Sequence, residues 1–194
     1  MNDVHELTAN GSKTAKRIGF PGRDGSRIPY EVYTSPEIYE LEQERIFRGP
    51  TWSFIALDAE LPNPGDFTST FVGDTPVVVT RNDDSSLSAW VNRCADRGAM
   101  FCRASRGNAR SDICVYHQWS YDTRGNLRGV PFRNGIESSP GMAADFDPKA
   151  HGLQQLRVGI YRGLVFATFS VRTSSLYDYI GPRMRPGLDR SNFP

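Results

Sequence analysis

From Pro50 onward the chain is a succession of short β-like runs, each cut by turn residues before a long helix could form. The runs are Thr51–Leu57, Asp66–Val72, Thr75–Arg81 and Leu87–Asn92, followed late in the chain by Leu153–Tyr161 and Leu164–Ser170. Period-2 alternation and β-branched residues mark them as strands. Asn82-Asp83-Asp84-Ser85-Ser86 joins the third and fourth runs as a hairpin, and Arg162-Gly163 joins the last two. With 18 glycines and 13 prolines to punctuate the chain, the pattern predicts a mainly β fold, a small antiparallel sandwich or barrel.

The first 29 or so residues are polar and interrupted by glycine, and are expected to form a mobile arm. A helix then starts at Thr34-Ser35-Pro36-Glu37, where Thr34 or Ser35 can cap free amides and Glu37 suits the positive end of the dipole. Ile38, Leu41 and Ile46 give it an apolar side, and Gly49-Pro50 stops it. A last helix start, Ser174-Ser175-Leu176-Tyr177-Asp178-Tyr179, comes shortly before Pro194, as though more chain were meant to follow. A length of 194 residues suits one domain with a real core, and 38% hydrophobic against 23% charged residues is the balance of a soluble globular protein. A net charge of +1 excludes a protein that coats nucleic acid by bulk charge, and no apolar run is long enough to span a membrane. Met1 to Arg17 lacks the apolar centre of a secretory signal, and three cysteines are too few for a disulfide framework. A cytoplasmic location is expected.

The chemistry lies between Asn92 and Phe132. Two loops, Cys94-Ala95-Asp96-Arg97-Gly98 and Cys114-Val115-Tyr116-His117-Gln118-Trp119, each offer a thiol with a second donor two or three places on. Seventeen positions separate Asp96 from Cys114. Two thiolates from separate loops suit one iron of a cluster, and their partners suit the other.

This pattern resembles the Rieske [2Fe–2S] signature, C-x-H followed after such a spacer by C-x-x-H and an aromatic residue. The wider stretch is similar to the large (α) subunits of aromatic ring-hydroxylating oxygenases. It comprises Asn92-Arg93-Cys94, Arg97-Gly98, Tyr116-His117-Gln118-Trp119-Ser120-Tyr121-Asp122 and Gly125-Asn126-Leu127. Gly163-Leu164-Val165-Phe166-Ala167-Thr168-Phe169 resembles the strand that leads those subunits out of their Rieske domain. The likeness covers about residues 30 to 190 and points to the branch acting on benzoate-, anthranilate- or salicylate-type acids; Gln118 stands where many members have Gly. It implies an N-terminal arm and helix over 1–49, a Rieske-type antiparallel β-sandwich over 50–170 and the truncated start of a catalytic α+β domain over 171–194. The implied function is to pass electrons from a ferredoxin or flavin reductase to a mononuclear non-haem iron, alongside other α subunits and a β subunit, without nucleic acid or membrane. That iron takes two histidines and a carboxylate. With only His5 and His151 besides His117, this chain is not expected to build such a site or to hydroxylate by itself.

Carried over residue by residue, the resemblance makes Cys94 and Cys114 ligands of one iron and His117 a ligand of the other. Asp96 stands where the family has a second histidine. Three outcomes are open there: a cluster ligated by Asp96, an incomplete or unstable cluster, or an intact cluster with a ligand from elsewhere. An ordinary turn role for Asp96 ahead of Arg97-Gly98 is a fourth. A carboxylate adds one negative charge and would move the potential down toward the all-cysteine clusters, near about −400 mV. The alternative function is a degenerate, cluster-poor fragment that only binds other subunits. A small Rieske ferredoxin is a third reading, and the arm, helix and tail speak against it. Cys102 reads as a core residue, His5 and His151 as bystanders, and Trp90 and Trp119 as core or cluster cover. Residues 93 to 133 hold eight arginines against three aspartates, a net +5 in a chain of total +1. That rim suits an acidic electron-transfer partner, although an arginine-preferring composition would also produce it.

Overall fold

The computed structural model describes residues 27–190, so most of the expected arm, His5 included, lies outside the described residues. Two short helices come first, α1 (Glu31–Thr34) and α2 (Pro36–Glu42), where the sequence suggests one. Ser35 separates them because a residue ahead of proline is pushed out of the helical region; its ψ is 122°. Its hydroxyl then accepts a hydrogen bond from the Ile38 amide at 3.4 Å, the capping role expected of it. A π-helical turn over Gln43–Phe47 follows. The buried Gln43 side chain accepts from the Asp74 amide at 2.9 Å, which fastens this segment to a turn of the sheet.

The strands are β1 (Ser53–Leu57), β2 (Asp66–Val72), β3 (Thr75–Arg81), β4 (Leu87–Val91), β5 (Arg106–Asn108), β6 (Ser111–Ile113), β7 (Ser120–Asp122), β8 (Leu127–Gly129), β9 (Gln155–Tyr161) and β10 (Leu164–Thr168). A final helix, α3 (Leu176–Asp189), starts on the Ser175 hydroxyl, which accepts from the Asp178 amide at 3.1 Å. It breaks at Gly181, where φ is 68°. The main sheet is antiparallel in the order β1-β10-β9-β4-β3-β2-β5, and β6-β7-β8 form a second, small sheet. β1 also touches β2, so the main sheet curls into a half-barrel. The fold is mainly β, as the sequence implies.

Alternation along the central strands produces two cores. Val77 and Val79 of β3, with Ala89 and Val91 of β4, face the inside of the half-barrel among Ile55, Leu61, Val72, Leu156 and Val165. Val78 and Trp90 point the opposite way, into a second cluster with Phe101, Cys94, Cys102, Cys114, Trp119, Tyr121 and Leu127. Both faces of β3 are therefore covered, which is why it reads as an unbroken apolar run. Each fully buried Val or Trp side chain contributes about 1.5–3 kcal/mol.

The small sheet is fastened to the large one by polar groups as well. The Thr123 carbonyl accepts from the Thr80 hydroxyl at 2.5 Å and from the Trp90 indole N–H at 3.2 Å. The Asn82–Ser86 hairpin adds two ion pairs, Asp83 with Arg110 and Asp84 with Arg124, the latter at 2.6 Å. Gly125 closes the β7–β8 turn at φ 73°, where a Cβ would collide with the Gln155 amide and approach the Trp90 ring.

The Ser86 hydroxyl and amide, with Arg124, hold the Asp84 carboxyl at about 2, below the usual 3.8. Folding thus favours the charged form, so its contribution is present above pH 3.8 and is lost as the pH falls through about 2. Asp84→Asn is expected to flatten the drop of the urea midpoint between these pH values. An unchanged slope would contradict the role given to Asp84.

Candidate metal centre

The two loops that hold the candidate donors are built alike. In the first, the Cys94 amide donates to the Ala99 carbonyl at 2.9 Å and the Gly98 amide to the Cys94 carbonyl at 2.8 Å. In the second, the Cys114 amide donates to the Trp119 carbonyl at 2.8 Å and the Gln118 amide to the Cys114 carbonyl at 3.0 Å. Each loop needs a left-handed residue at its fifth position, and φ is 71° at Gly98 and 60° at Gln118. This is the physical reason glycine suits the place that Gln118 takes. Asn92 anchors the base of the first loop. Its side chain accepts from the Cys102 amide at 3.1 Å and donates to the Cys102 carbonyl at 2.7 Å, inside the core.

This framework sorts the four candidate donors into two pairs, each with one member from either loop. Cys94 and Cys114 are 4% and 1% exposed, and the two thiols lie side by side. Burial pushes the Cys94 thiol up, and the neighbouring Cys114 adds to the shift. Nearer the surface, the Asp96 carboxylate meets His117 Nδ1 at 2.5 Å, with side chains 24% and 37% exposed. The Gly98 amide is taken by the Cys94 carbonyl, so Asp96 is turned to His117 and away from the local turn role open to it. Among the described residues no three His, Cys, Asp or Glu side chains gather around a single metal position.

Tyr121, which the sequence singles out only as part of the family stretch, reaches the thiol pair from β7. Its hydroxyl accepts from the Ala95 amide at 3.1 Å, which leaves its own proton for the Cys94 sulfur at 3.3 Å. Burial and the Cys94 sulfur keep the phenol protonated well above its ordinary range. Cys102 is buried, its thiol pushed up to about 11 chiefly by desolvation, and it takes no place among the donors. Trp119 is buried and covers the second loop, with Phe146 and His151 edge-on to it at 5.8 and 5.9 Å. His151 is thus packed into this cover. Its Nδ1 donates to the Asp147 carbonyl at 2.8 Å.

Of the eight arginines, Arg110, Arg124 and Arg128 are spent on Asp83, Asp84 and Asp122, and Arg133 lies over the Phe146 ring. Arg97, Arg103 and Arg106 are exposed and make no ion pair with the described residues.

Residues 51–140 match the Rieske [2Fe-2S] domain family. The chain is 66% identical over 176 residues to the large subunit of anthranilate 1,2-dioxygenase from Burkholderia cepacia, covering 91% of this chain and 42% of that protein. It is 40% identical to the large oxygenase component of salicylate 5-hydroxylase from a Ralstonia species, covering 88% of this chain and 41% of that protein. Naphthalene 1,2-dioxygenase from a Rhodococcus species, solved with indole bound, superposes with a TM-score of 0.70 at 30% identity, over 79% of this chain and 34% of that one. The chain therefore spans about two fifths of the length of these curated relatives.

Asn92→Ala leaves the Cys102 amide and carbonyl unpaired inside the core. The expected cost is about 2–3 kcal/mol, read as a lower urea midpoint. A change within about 0.5 kcal/mol would show that the loop base does not depend on this side chain.

Proposed function

The chain carries a Rieske [2Fe–2S] domain of the large-subunit type found in aromatic ring-hydroxylating oxygenases, and from that premise we propose that it is the electron-relay part of such a subunit. Cys94 and Cys114 hold one iron and Asp96 and His117 hold the other. The observation that supports this most is the sorting of the donors into a buried sulfur pair and a half-exposed carboxylate–imidazole pair. A two-iron cluster asks for two protein ligands per iron, so paired donors suit it where a single-ion site would need three or four together. The donor set fits, with a harder ligand at one corner.

Bound there, the cluster supplies one-electron transfer. The chain's residues do the rest. Tyr121 donates to the Cys94 sulfur and so favours the more electron-rich state, while Trp119 and Phe101 keep water from the thiol side. The exposed edge at His117 is where electrons pass in or out. Arg97, Arg103 and Arg106, free of ion pairs to the described residues, receive an acidic ferredoxin or flavin reductase. The electron's destination is a mononuclear iron in a neighbouring large subunit, in an assembly with smaller subunits and in the cytoplasm. The substrate class is the aromatic acids, by likeness to the relatives named for anthranilate and salicylate.

One observation favours a second reading. The Asp96–His117 contact at 2.5 Å satisfies both groups without iron, as a cluster-poor module that only binds other subunits would. Iron and sulfide content separate the two.

After reconstitution with iron and sulfide, Cys94→Ser and Cys114→Ser are expected to lose most bound iron and Cys102→Ser to keep it. Asp96→His is expected to bring iron toward two per chain and to raise the potential, because an anionic ligand is exchanged for a neutral one. Equal iron loss in all three cysteine variants, or no response to Asp96→His, would contradict the ligand set.

Docking has its own check. Arg97→Glu with Arg103→Glu is expected to slow electron uptake from an acidic ferredoxin by roughly tenfold or more at low salt and to flatten its salt dependence. Rates that keep their original salt dependence would place the docking surface elsewhere.

A further inference from the structure

Phe101 belongs to neither donor loop, yet it sits in the middle of a stack that ends at the thiol pair. Its ring lies 5.6 Å from that of Trp90 with 7° between the planes, and 5.5 Å from that of Tyr121 with 21° between them. The outer rings are fully buried and Phe101 is 5% exposed. Trp90 is a fixed wall, held in β4 and donating its indole N–H to the Thr123 carbonyl. The backbone beside Phe101 is fixed too, because Asn92 binds both the amide and the carbonyl of Cys102.

The hydroxyl of Tyr121 is at the far end of its side chain, so a small swing about the Cα–Cβ bond carries it out of reach of both Ala95 and Cys94. β7, a three-residue strand, anchors only the backbone end of that side chain. The flat face of Phe101, stacked on the Tyr121 ring, blocks the swing on its side. We propose that Phe101 is a positioning residue, wedged between Trp90 and Tyr121, that fixes the Tyr121 hydroxyl as donor to the Cys94 sulfur and thereby raises the electron affinity of the metal centre. The redox consequence rests on the cluster reading above, whereas the placement of the hydroxyl is a property of the chain alone.

The test uses the full chain, with and without iron, and two readouts. The first is hydrogen exchange of the Ala95 amide in the iron-free chain, because that exposed residue's N–H is covered by the Tyr121 hydroxyl. The second is the midpoint potential of the iron-loaded chain. Phe101→Leu keeps the core apolar but removes the flat face; Phe101→Met serves if the leucine variant does not fold. Either is expected to speed Ala95 exchange by about tenfold, the loss of one hydrogen bond, and to lower the potential. Tyr121→Phe is expected to do the same, and adding Phe101→Leu to it is expected to shift neither readout further. Val79→Ala, a truncation in the other core, is expected to lower the melting temperature and leave both readouts alone. Unchanged Ala95 exchange in a folded Phe101 variant overturns the proposal, and so do additive potential shifts in the double variant. A chain that takes up no iron in any form removes the cluster reading, while Ala95 exchange still decides the placement of Tyr121.

Discussion

Trp90 is the joint on which the two halves of the structure depend. It projects from the covered face of the main sheet, stacks on Phe101 and donates to the Thr123 carbonyl, so one side chain makes both an apolar and a polar contact across the seam. The constraint behind it is geometric. β3 and β4 alternate large apolar residues on both faces, and a half-barrel can cover only one of them. The small sheet and the two donor loops cover the other. Removing that cover would expose Val78, Trp90 and Phe101 together, a loss of several kcal/mol by area alone. The region of the candidate donors is therefore part of the core.

The same packing explains why the donors differ in depth. The cysteines close the inner ends of two similar loops, beneath Tyr121 and Trp119, whereas the residues two and three places on emerge toward solvent. Thiols inside and a carboxylate–imidazole pair outside follow from loop geometry before any metal is considered. In the proposed cluster, the departure at Asp96 changes the charge of the outer position and leaves the framework intact.

Much of the fold was legible because the strands obey simple rules. β2 and β3 run over the residues their alternation suggests, and the Asn82–Ser86 hairpin turns where its polar run suggests, with Ser85 at φ 65°. Ser35 and Ser175 cap helices as their side chains imply. Strand ends were less legible: β1 begins at Ser53 and β9 at Gln155, two residues inside the expected runs, since flanking residues share the composition without pairing. The strands β5 to β8 were not legible at all. Arg106-Gly107-Asn108 and Ser111-Asp112-Ile113 are too short for a period and too polar for a propensity signal.

The candidate donors were singled out by spacing and family resemblance, because chain-local patterns survive in one dimension. Tyr121, Phe101 and Asn92 act through contacts across 10 to 27 positions; Asn92 and Tyr121 stand in the family stretch, but nothing local marks what they touch. Their roles follow from the way Trp90 and Cys102 hold the stack. In the proposed cluster, Asp96 completes the ligand set beside a single histidine. Pulsed EPR on the reduced, reconstituted chain with 15N-labelled histidine counts the coordinated imidazoles directly. One strongly coupled histidine nitrogen is the predicted result; two such nitrogens, or a cluster signal coupled to none, would contradict it.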